Sequence, residues 1–484
     1  MYDQLLTMLR ELPAAGRQAL RELLDALDAP QPDERLANAF KRFQQTLKKF
    51  GLLDLLPRRR VVITGMGAIT PLGHSPDETW DRLVKGESGI DYVTRIDVSD
   101  LPTRIAAEVK DFDPTAFGID AREARRMARA SQYALAAATQ AVQDAGIEDV
   151  LAREGERAGV VMGTGLGGFD LYEPLLLKAG ERGVWRVRPM DAIGGLPNIP
   201  AFHISEVFNL RGLSNTVVTA CAAGTQAIGE AAALIRHGLL DVVLAGGVEG
   251  LIVRTFFVGF TMMKALSTRN DPPHKACRPF DATRDGFVIG EGAAVFVLES
   301  LEHALRRGAR IYAEVLGHAA TSDAYHIAAP DPEGRGAQLA MQRALEDAGV
   351  QPEHVDYINA HGTSTPLNDK IETLAIKKVF GEHAYELAVN STKSMLGHAF
   401  GGAGAIEAMA VVKSIVTGIL HPTINYEHPD PECDLDYVPN VARRVKEGIR
   451  VALSNSFGLG GQNATIVIGR YVPQGIHALL RAGG

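Results

Sequence analysis

Residues 217–229 read Val-Val-Thr-Ala-Cys-Ala-Ala-Gly-Thr-Gln-Ala-Ile-Gly, a stretch with a cysteine between a strand pattern and a helical pattern. The β-branched run Val217–Thr219 predicts the end of a buried strand, and an alanine-rich helical pattern follows through Arg236. Cys221 therefore falls at a strand-to-helix turn, where the free N–H groups of the helix favour an anion. We expect its thiol to have a lowered pKa and to act as a nucleophile. A free cysteine is also a common core residue, so the stretch alone leaves both interpretations open.

The overall composition is typical of a large cytoplasmic α/β protein. The chain has 484 residues, of which 46% are hydrophobic. Its net charge of −8 argues against a nucleic acid or an anionic membrane as partner. Cys221, Cys277 and Cys433 show no metal-ligand spacing and cannot all pair, as expected in a reducing compartment. The N-terminus lacks a secretory signal pattern, and Lys413 interrupts the apolar run 406–420. We therefore expect no membrane span.

Residues 1–57 differ from the rest and predict an N-terminal amphipathic helical extension. Apolar residues recur at helical spacing over 5–12 and 20–27, and a stripe of leucine and phenylalanine runs over 36–50. Such a segment could dock another protein or pack on its own chain, and the sequence leaves both open.

From residue 60 onward, apolar strand patterns that end in glycines alternate with helical patterns. The first strand pattern begins at Val61, and two more occupy 159–168 and 241–250. This alternation predicts an α/β architecture with buried sheets.

Residues 121–145 predict one helix with an unusual charge distribution. Arg122, Arg125, Arg126 and Arg129 crowd its first turns, although positive charge at a helix N-terminus opposes the helix dipole. We favour an exposed patch for an anionic partner over an ordinary solvated face.

The second half of the chain repeats the plan of the first. A strand pattern over 355–360 ends at His361-Gly-Thr-Ser-Thr-Pro. Another, over 387–390, enters a small-residue turn that carries Lys393 and His398 and leads into an alanine-rich helix. That unit mirrors the strand–turn–helix stretch quoted first, so we predict a pseudo-duplicated core.

Four motifs together resemble those of the β-ketoacyl-acyl-carrier-protein synthases of the elongating Cys-His-His type. They are Thr-Ala-Cys221, Asn-Ala-His361-Gly-Thr-Ser-Thr-Pro, Lys393-Ser-Met-Leu-Gly-His398 and Asn-Ser-Phe457-Gly-Leu-Gly-Gly. The resemblance covers about residues 59–470 and implies a thiolase-like, five-layered αβαβα fold built from two duplicated halves, and a homodimer. We expect residues 58–310 to form the half with the nucleophile. Residues 311–484 would form the half with both histidines and the glycine-rich loop.

The resemblance implies decarboxylative condensation of an acyl group with malonyl carrier protein, without a metal or organic cofactor. Cys221 would carry the acyl group as a thioester. His361 and His398 would donate hydrogen bonds to the enolate oxygen that forms when malonyl carrier protein loses CO2. Lys393, paired with Glu407, would orient His361.

Further roles follow from the same resemblance. Main-chain N–H groups of Cys221 and Phe457 would form the oxyanion hole, and the Phe457 ring would act as a gate. Leu166 would control entry to the acyl channel. The remaining substrate-binding residues implied are Thr363, Thr365 and Gly458.

The family's carrier-protein contacts fall on Arg122, Arg125, Arg126 and Lys264. A basic patch on an acidic protein is consistent with steering of an acidic acyl carrier protein.

Three other functions share part of this sequence pattern. A polyketide ketosynthase would run the same chemistry on a different acyl substrate. A thiolase would need a second catalytic cysteine near residues 455–462, and this stretch contains none. A non-catalytic chain-length partner subunit would normally lack the nucleophile, whereas Cys221 is present.

Overall fold

The main sheet contains ten strands, and the residues that the computed structural model describes are 14–27, 42, 46, 58–186 and 188–482. In chain order the strands are β1 (Val61–Ile69), β2 (Ala158–Gly163), β3 (Leu213–Val217), β4 (Val242–Glu249), β5 (Gly292–Ser300), β6 (Ala313–Ser322), β7 (Tyr357–Asn359), β8 (Ala388–Asn390), β9 (Val451–Gly458) and β10 (Gln462–Gly469). Strands β1, β4 and β5 are buried along their whole length, which explains their continuous apolar runs. Two short pairs of strands, Asp91–Tyr92 with Ile105–Ala106 and Ile419–Leu420 with Arg443–Arg444, lie outside this sheet.

The sheet repeats one topology twice. Its strand order is β8-β7-β9-β10-β6-β1-β5-β4-β2-β3. Each strand of the first half, ordered 1-5-4-2-3, has a counterpart in the second half, ordered 6-10-9-7-8. Strand β2 is parallel to β3 and β4, and β7 is likewise parallel to β8 and β9. Antiparallel pairing of β1 with β6 joins the halves, and the predicted duplication is confirmed.

The helices lie before, between and after these strands in the chain. They are α1 (Ala14–Leu27), α2 (Pro76–Val84), α3 (Ala121–Ala124), α4 (Arg129–Ala145), α5 (Glu148–Glu154), α6 (Phe169–Arg182), α7 (Pro189–Gly194), α8 (Ile199–Val207), α9 (Ala223–Arg236), α10 (Arg254–Met262), α11 (Leu301–Arg306), α12 (Arg335–Ala348), α13 (Pro366–Phe380), α14 (Lys393–Leu396), α15 (Ala403–Thr417) and α16 (Ile476–Ala482).

Helices α9 and α15 lie between the two halves of the sheet. Helix α9 contacts β2 and β4 of the first half and β6 and β10 of the second, and α15 contacts β4, β5 and β9. Helix α4 covers β1 and β5 on one outer face, and α12 covers β6 and β10 on the other. These contacts give five layers, so the predicted αβαβα class is confirmed.

The central layer explains the most apolar helical stretch. Among the described residues, Phe400–Thr417 is the one stretch long and apolar enough to cross a membrane, and 83% of it is buried inside the protein. A helix that is apolar on all sides is expected where sheets cover both of its faces.

Two predicted elements differ from the structure. The run Val217–Thr219 is not the end of a buried strand, because β3 ends at Val217 and Val218 is 49% exposed. Strand β3 is the last strand of the sheet, so part of it faces solvent. The helix predicted over 121–145 is two helices, since α3 ends at Ala124 and α4 begins at Arg129.

The chain divides into two compact units, Met1–Arg59 and Arg60–Gly484. In the first unit, the helix predicted over 20–27 is part of α1, in which Leu20 is buried. The segments predicted over 5–12 and 36–50 lie outside the described residues, apart from positions 42 and 46.

Candidate active site

Cys221 lies on a tight turn between β3 and α9. The turn is one 3₁₀ segment, Ala220–Ala222, and Cys221 is only 4% exposed. Ala220 has a φ of 48°, a left-handed conformation that is costly for a residue with a side chain. Such local strain is often found at functional sites, and here it places the thiol at the start of the central helix α9.

Two imidazoles converge on this thiol from the second half of the chain. His398 Nε2 lies 3.0 Å from the Cys221 sulfur. The His361 ring is 5.3 Å from the His398 ring, measured between centroids. One nitrogen from each ring and the sulfur all lie within 4.8 Å of one another. The segments that follow β3, β7 and β8 thus bring together the three residues that the motifs predicted.

The surroundings of both rings fix where their protons lie. The main-chain N–H of Phe400 donates to His398 Nδ1 over 3.2 Å, and Lys393 Nζ lies 3.3 Å from His361 Nδ1. A main-chain N–H group and an ammonium group can only donate. Nδ1 is therefore the acceptor in both histidines, and Nε2 carries the proton. Burial lowers the pKa of both imidazoles well below the usual value, and the nearby Lys393 charge adds to this. Both rings are therefore neutral Nε2–H donors at neutral pH.

Lys393 and Glu407 form a buried ion pair behind His361. Lys393 begins α14, Glu407 lies on α15, and both are at most 2% exposed. Burial raises the pKa of Glu407 to about 7, and the Lys393 ammonium opposes this shift. The pair holds the Lys393 side chain close to His361.

Glu372, to which the sequence assigned no role, holds the loop that carries His361. Its carboxylate accepts the main-chain N–H groups of His361 and Gly362, both over 2.8 Å. Its place on α13, eleven residues after His361, was visible in the sequence, but its contact with the backbone was not.

The expected low pKa of Cys221 is wrong. Burial raises the pKa of this thiol to about 11, although Lys393 and a main-chain N–H of Leu459 act in the opposite direction. The sequence located the helix N-terminus correctly but gave no measure of how completely the thiol is buried.

Main-chain N–H groups of Leu459 and of Cys221 itself lie close to the sulfur, and the motifs predicted no role for Leu459. Strand β9 continues through Gly458, so Phe457 pairs with Asn463 in the sheet. The turn between β9 and β10 therefore begins only after Gly458. A Cβ on Gly458 would lie 3.2 Å from the Cys221 nitrogen, so glycine keeps the space before that N–H open. The Phe457 ring contacts His361 at 5.8 Å between centroids.

The three residues open into a cavity of about 440 Å³. The other predicted residues that line it are Lys264, Thr363, Thr365, Phe457 and Gly458. The hydroxyls of Thr363 and Thr365 are 2.9 Å apart. Phe260, Phe287 and Phe400 supply an apolar part of the cavity wall.

The remaining predicted residues do not line this cavity. Leu166 packs in an apolar cluster that also contains Cys221 and Phe400. Arg122, Arg125 and Arg126 are exposed on α3 and the turn after it. The fourth basic residue of that region, Arg129, turns inward and donates to the Tyr133 hydroxyl, so it is not part of the exposed patch.

Comparison with known proteins gives consistent matches. A relative from Synechocystis sp. (strain ATCC 27184 / PCC 6803 / Kazusa), "3-oxoacyl-[acyl-carrier-protein] synthase 2", is 48% identical over 416 residues, covering 86% of this chain and 99% of the relative. A solved structure, "The ishigamide ketosynthase/chain length factor", has a TM-score of 0.80 and 40% identity, covering 86% of this chain and all of that chain. Another, a type II PKS acyl-carrier protein in complex with its ketosynthase, has a TM-score of 0.78 and 34% identity, with the same coverage.

Two family descriptions match the chain in succession. "Beta-ketoacyl synthase, N-terminal domain" matches residues 58–304, and "Beta-ketoacyl synthase, C-terminal domain" matches residues 312–427. The protein therefore belongs to the β-ketoacyl synthase family.

Proposed function

We propose that the protein is a decarboxylating 3-oxoacyl-[acyl-carrier-protein] synthase of fatty acid chain elongation. One observation carries the proposal: two neutral Nε2–H imidazole donors converge with the Cys221 sulfur in one buried cavity. That set supplies a nucleophile and paired donors for an enolate oxygen, which are the two requirements of the reaction. The name of the Synechocystis relative supports the same activity.

In the first step, Cys221 takes an acyl group from the phosphopantetheine thioester of a carrier protein. The sulfur attacks the thioester carbonyl and forms a new C–S bond, and the pantetheine sulfur leaves with the proton that the thiol gives up. Negative charge develops on the carbonyl oxygen, and main-chain N–H groups of Cys221 and Phe457 would stabilise it. The raised thiol pKa means that the proton must leave during this step.

In the second step, malonyl carrier protein loses CO2. The electron pair of the broken C–C bond delocalises onto the thioester oxygen, where His361 and His398 donate from Nε2. The Lys393 charge next to His361 further stabilises the enolate. The carbanion then attacks the acyl-Cys221 carbonyl, the C–S bond breaks with its electron pair going to sulfur, and the released thiolate takes up a proton from water.

The carrier protein would dock at the mouth of the cavity. Lys264 lines the cavity, and the exposed Met262, Met263, Ile327 and Leu367 supply apolar contacts beside it. The hydroxyls of Thr363 and Thr365 would contact the pantetheine amides. The exposed arginines of the α3 region would attract the acidic carrier from a distance.

Assembly and location belong to the same proposal. We place the enzyme in the cytoplasm as a homodimer, in which the exposed outer edge of β3 pairs with its copy. Three free cysteines support a reducing compartment. Residues 1–57 would dock a further protein.

The decisive experiment is reconstitution from purified parts. The protein is mixed with one carrier protein loaded with an acyl group and another loaded with malonyl. The 3-oxoacyl carrier protein is measured by mass spectrometry, and CO2 by isotope release. The wild type should form both, and Cys221→Ala should form no 3-oxoacyl product. A wild-type protein that forms neither contradicts the proposal.

A second candidate is a ketosynthase of a polyketide pathway, favoured by the likeness to the ishigamide ketosynthase structure. Repeated condensation of malonyl units without reduction of the keto group would support it. If the enzyme adds one malonyl unit and accepts the chain again only after its keto group has been reduced, fatty acid elongation is supported. The assembled Cys221 and imidazoles argue against a non-catalytic chain-length subunit.

A further inference from the structure

Glu249 is a buried acid beside the active site to which the proposed mechanism assigns no role. It ends strand β4 and is fully buried. One carboxylate oxygen accepts from the Thr164 hydroxyl over 3.1 Å and from the Leu166 N–H over 3.3 Å. The other accepts the N–H groups of Gly165 over 2.6 Å and Gly401 over 3.0 Å. All four partners are donors, so this position needs a group with two accepting oxygens.

The four donors belong to two loops that touch each other. One loop, Thr164–Leu166, follows β2, and the other is the 3₁₀ turn Phe400–Gly402 after His398. A Cβ on Gly401 would lie 2.3 Å from the Gly165 nitrogen, and a Cβ on Gly165 would lie 2.7 Å from a Glu249 oxygen. Only glycines permit this approach, and Glu249 fastens both loops at the point of contact.

Each loop carries a large apolar side chain that packs in the cluster containing Cys221. Phe400 has a φ of 43°, and its ring lies 5.2 Å from Phe260 and 4.8 Å from His398 between centroids. Leu166 packs in the apolar cluster that contains both Phe400 and Cys221. Phe400 also lines the cavity at Cys221, so an acyl chain on Cys221 would contact this apolar cluster.

We propose that Glu249 is a positioning residue that fixes the gap between Leu166 and Phe400 and thereby selects the length of acyl chain that Cys221 accepts. The inference rests on the proposed function, because it requires an acyl thioester at Cys221. Glu249 touches neither the acyl group nor the sulfur, and it acts through the two loops that it holds.

Glu249→Gln tests this role. The amide keeps the shape of the side chain but turns one accepting oxygen into a donor, so two of the four N–H or O–H groups lose their acceptor. The two loops then separate and the gap widens. We expect the ratio of kcat/KM for decanoyl over butyryl carrier protein, measured by intact mass of the acyl-enzyme, to rise at least tenfold. A loss of folded enzyme would lower both rates and leave their ratio unchanged.

Glu299→Gln is the matched control. Glu299 is also buried and also accepts several hydrogen bonds, from Thr64, His303 and Arg307. The two glutamates lie at opposite ends of the β4–β5 strand pair, because Glu299 pairs with Val242 whereas Glu249 pairs with Gly292. This variant should lose stability and keep the wild-type ratio.

Phe400→Leu provides a second, independent measurement. A smaller side chain widens the same gap, so this variant should also raise the ratio. The double variant with Glu249→Gln should show no larger ratio than Phe400→Leu alone, since both changes act on one gap.

Four outcomes would overturn the inference. A folded Glu249→Gln protein with the wild-type ratio would do so, and so would additive effects in the double variant. If Glu249→Gln does not fold, an unchanged ratio in Phe400→Leu overturns it. A wild-type protein that forms no thioester at Cys221 contradicts the proposed function itself, and the inference with it.

Discussion

At the scale of single residues, Cys221 experiences opposing influences on its proton. Burial favours the neutral thiol and raises its pKa to about 11, while Lys393 and the Leu459 N–H favour the thiolate less strongly. The first prediction concerns alkylation by iodoacetamide. Only the thiolate reacts, so the rate at Cys221 should rise about tenfold per pH unit from pH 7 to 9 without a plateau.

Peptide mapping after brief labelling provides the control for this prediction. Cys277 and Cys433 are buried, do not line the cavity, and have pKa values raised by burial to about 12. Cys221 should therefore carry nearly all of the label. A rate plateau with a midpoint below pH 8 would show that the thiolate is stabilised after all.

The second prediction separates the role of the thiol from that of the imidazoles. Cys221→Ala should abolish condensation and still release CO2 from malonyl carrier protein, because the Nε2–H donors remain. His398→Ala should still accept an acyl group at Cys221 and lose decarboxylation. One donor of this kind is typically worth about 2.7–4 kcal/mol, or a hundred- to thousandfold in rate.

The two half-reactions can be followed separately, by acyl-enzyme mass and by labelled CO2. Both variants must keep the wild-type unfolding temperature for the comparison to hold. Normal decarboxylation by His398→Ala would contradict the assignment of the donors. A folded Cys221→Ala protein that cannot decarboxylate would contradict it equally.

At the scale of helices and strands, the sequence predicted the features that depend on local spacing and missed those that depend on long-range packing. The alanine-rich pattern placed α9 and α15 correctly, because spacing within one segment determines which face can be buried. The break between α3 and α4 was missed, since both segments favour helix locally. The buried Met127 lies in that break.

The same distinction applies to the active site. Cys221, His361, His398 and Lys393 were predictable, because each sits in a local strand-to-helix turn with a distinct motif. The contact of the Leu459 N–H with the sulfur was not, because it depends on how far β9 extends before it turns into β10. The four hydrogen bonds of Glu249 join three separate chain segments, and no local pattern signals them.

The third prediction concerns the exposed arginines on α3 and the turn after it. Arg125→Glu with Arg126→Glu should raise the KM for acyl carrier protein and leave the turnover of small thioester mimics nearly unchanged. Charges at the edge of an interface act mainly on the association rate. The rise in KM should therefore shrink as salt is added.

A charge-matched control uses exposed arginines elsewhere. Arg306→Glu with Arg343→Glu makes the same change in net charge on α11 and α12. It should leave the KM close to the wild-type value. If both double variants weaken carrier binding equally, net charge is responsible and the α3 region is not a docking site.

At the scale of the whole molecule, the fourth prediction concerns residues 1–57. The family match begins at residue 58, and the first compact unit ends at Arg59. A protein that starts at Arg58 should fold with an unchanged unfolding temperature and keep its condensation rate. Aggregation of the shortened protein, or loss of condensation, would show that the segment belongs to the catalytic core.

The fifth prediction concerns assembly through the outer edge of β3. Its outer side has no neighbouring strand among the described residues, and an unpaired edge of a large sheet favours pairing with another strand. Helix α8 packs beside β3, and α6 to α8 add exposed apolar side chains. They are Leu176, Leu177, Met190, Ile193, Phe202 and Val207. An apolar surface of this kind is typical of an obligate homodimer interface.

Val218→Asp tests this interface directly. Val218 follows β3 and is 49% exposed, so in a dimer the new carboxylate would be buried without a partner. Light scattering after gel filtration should give twice the mass of one chain for the wild type and shift towards one chain for the variant. Val441→Asp, at a valine that is 74% exposed and far from β3 in the chain, should remain dimeric. A wild-type protein that elutes with the mass of one chain at micromolar concentration would contradict the proposed homodimer.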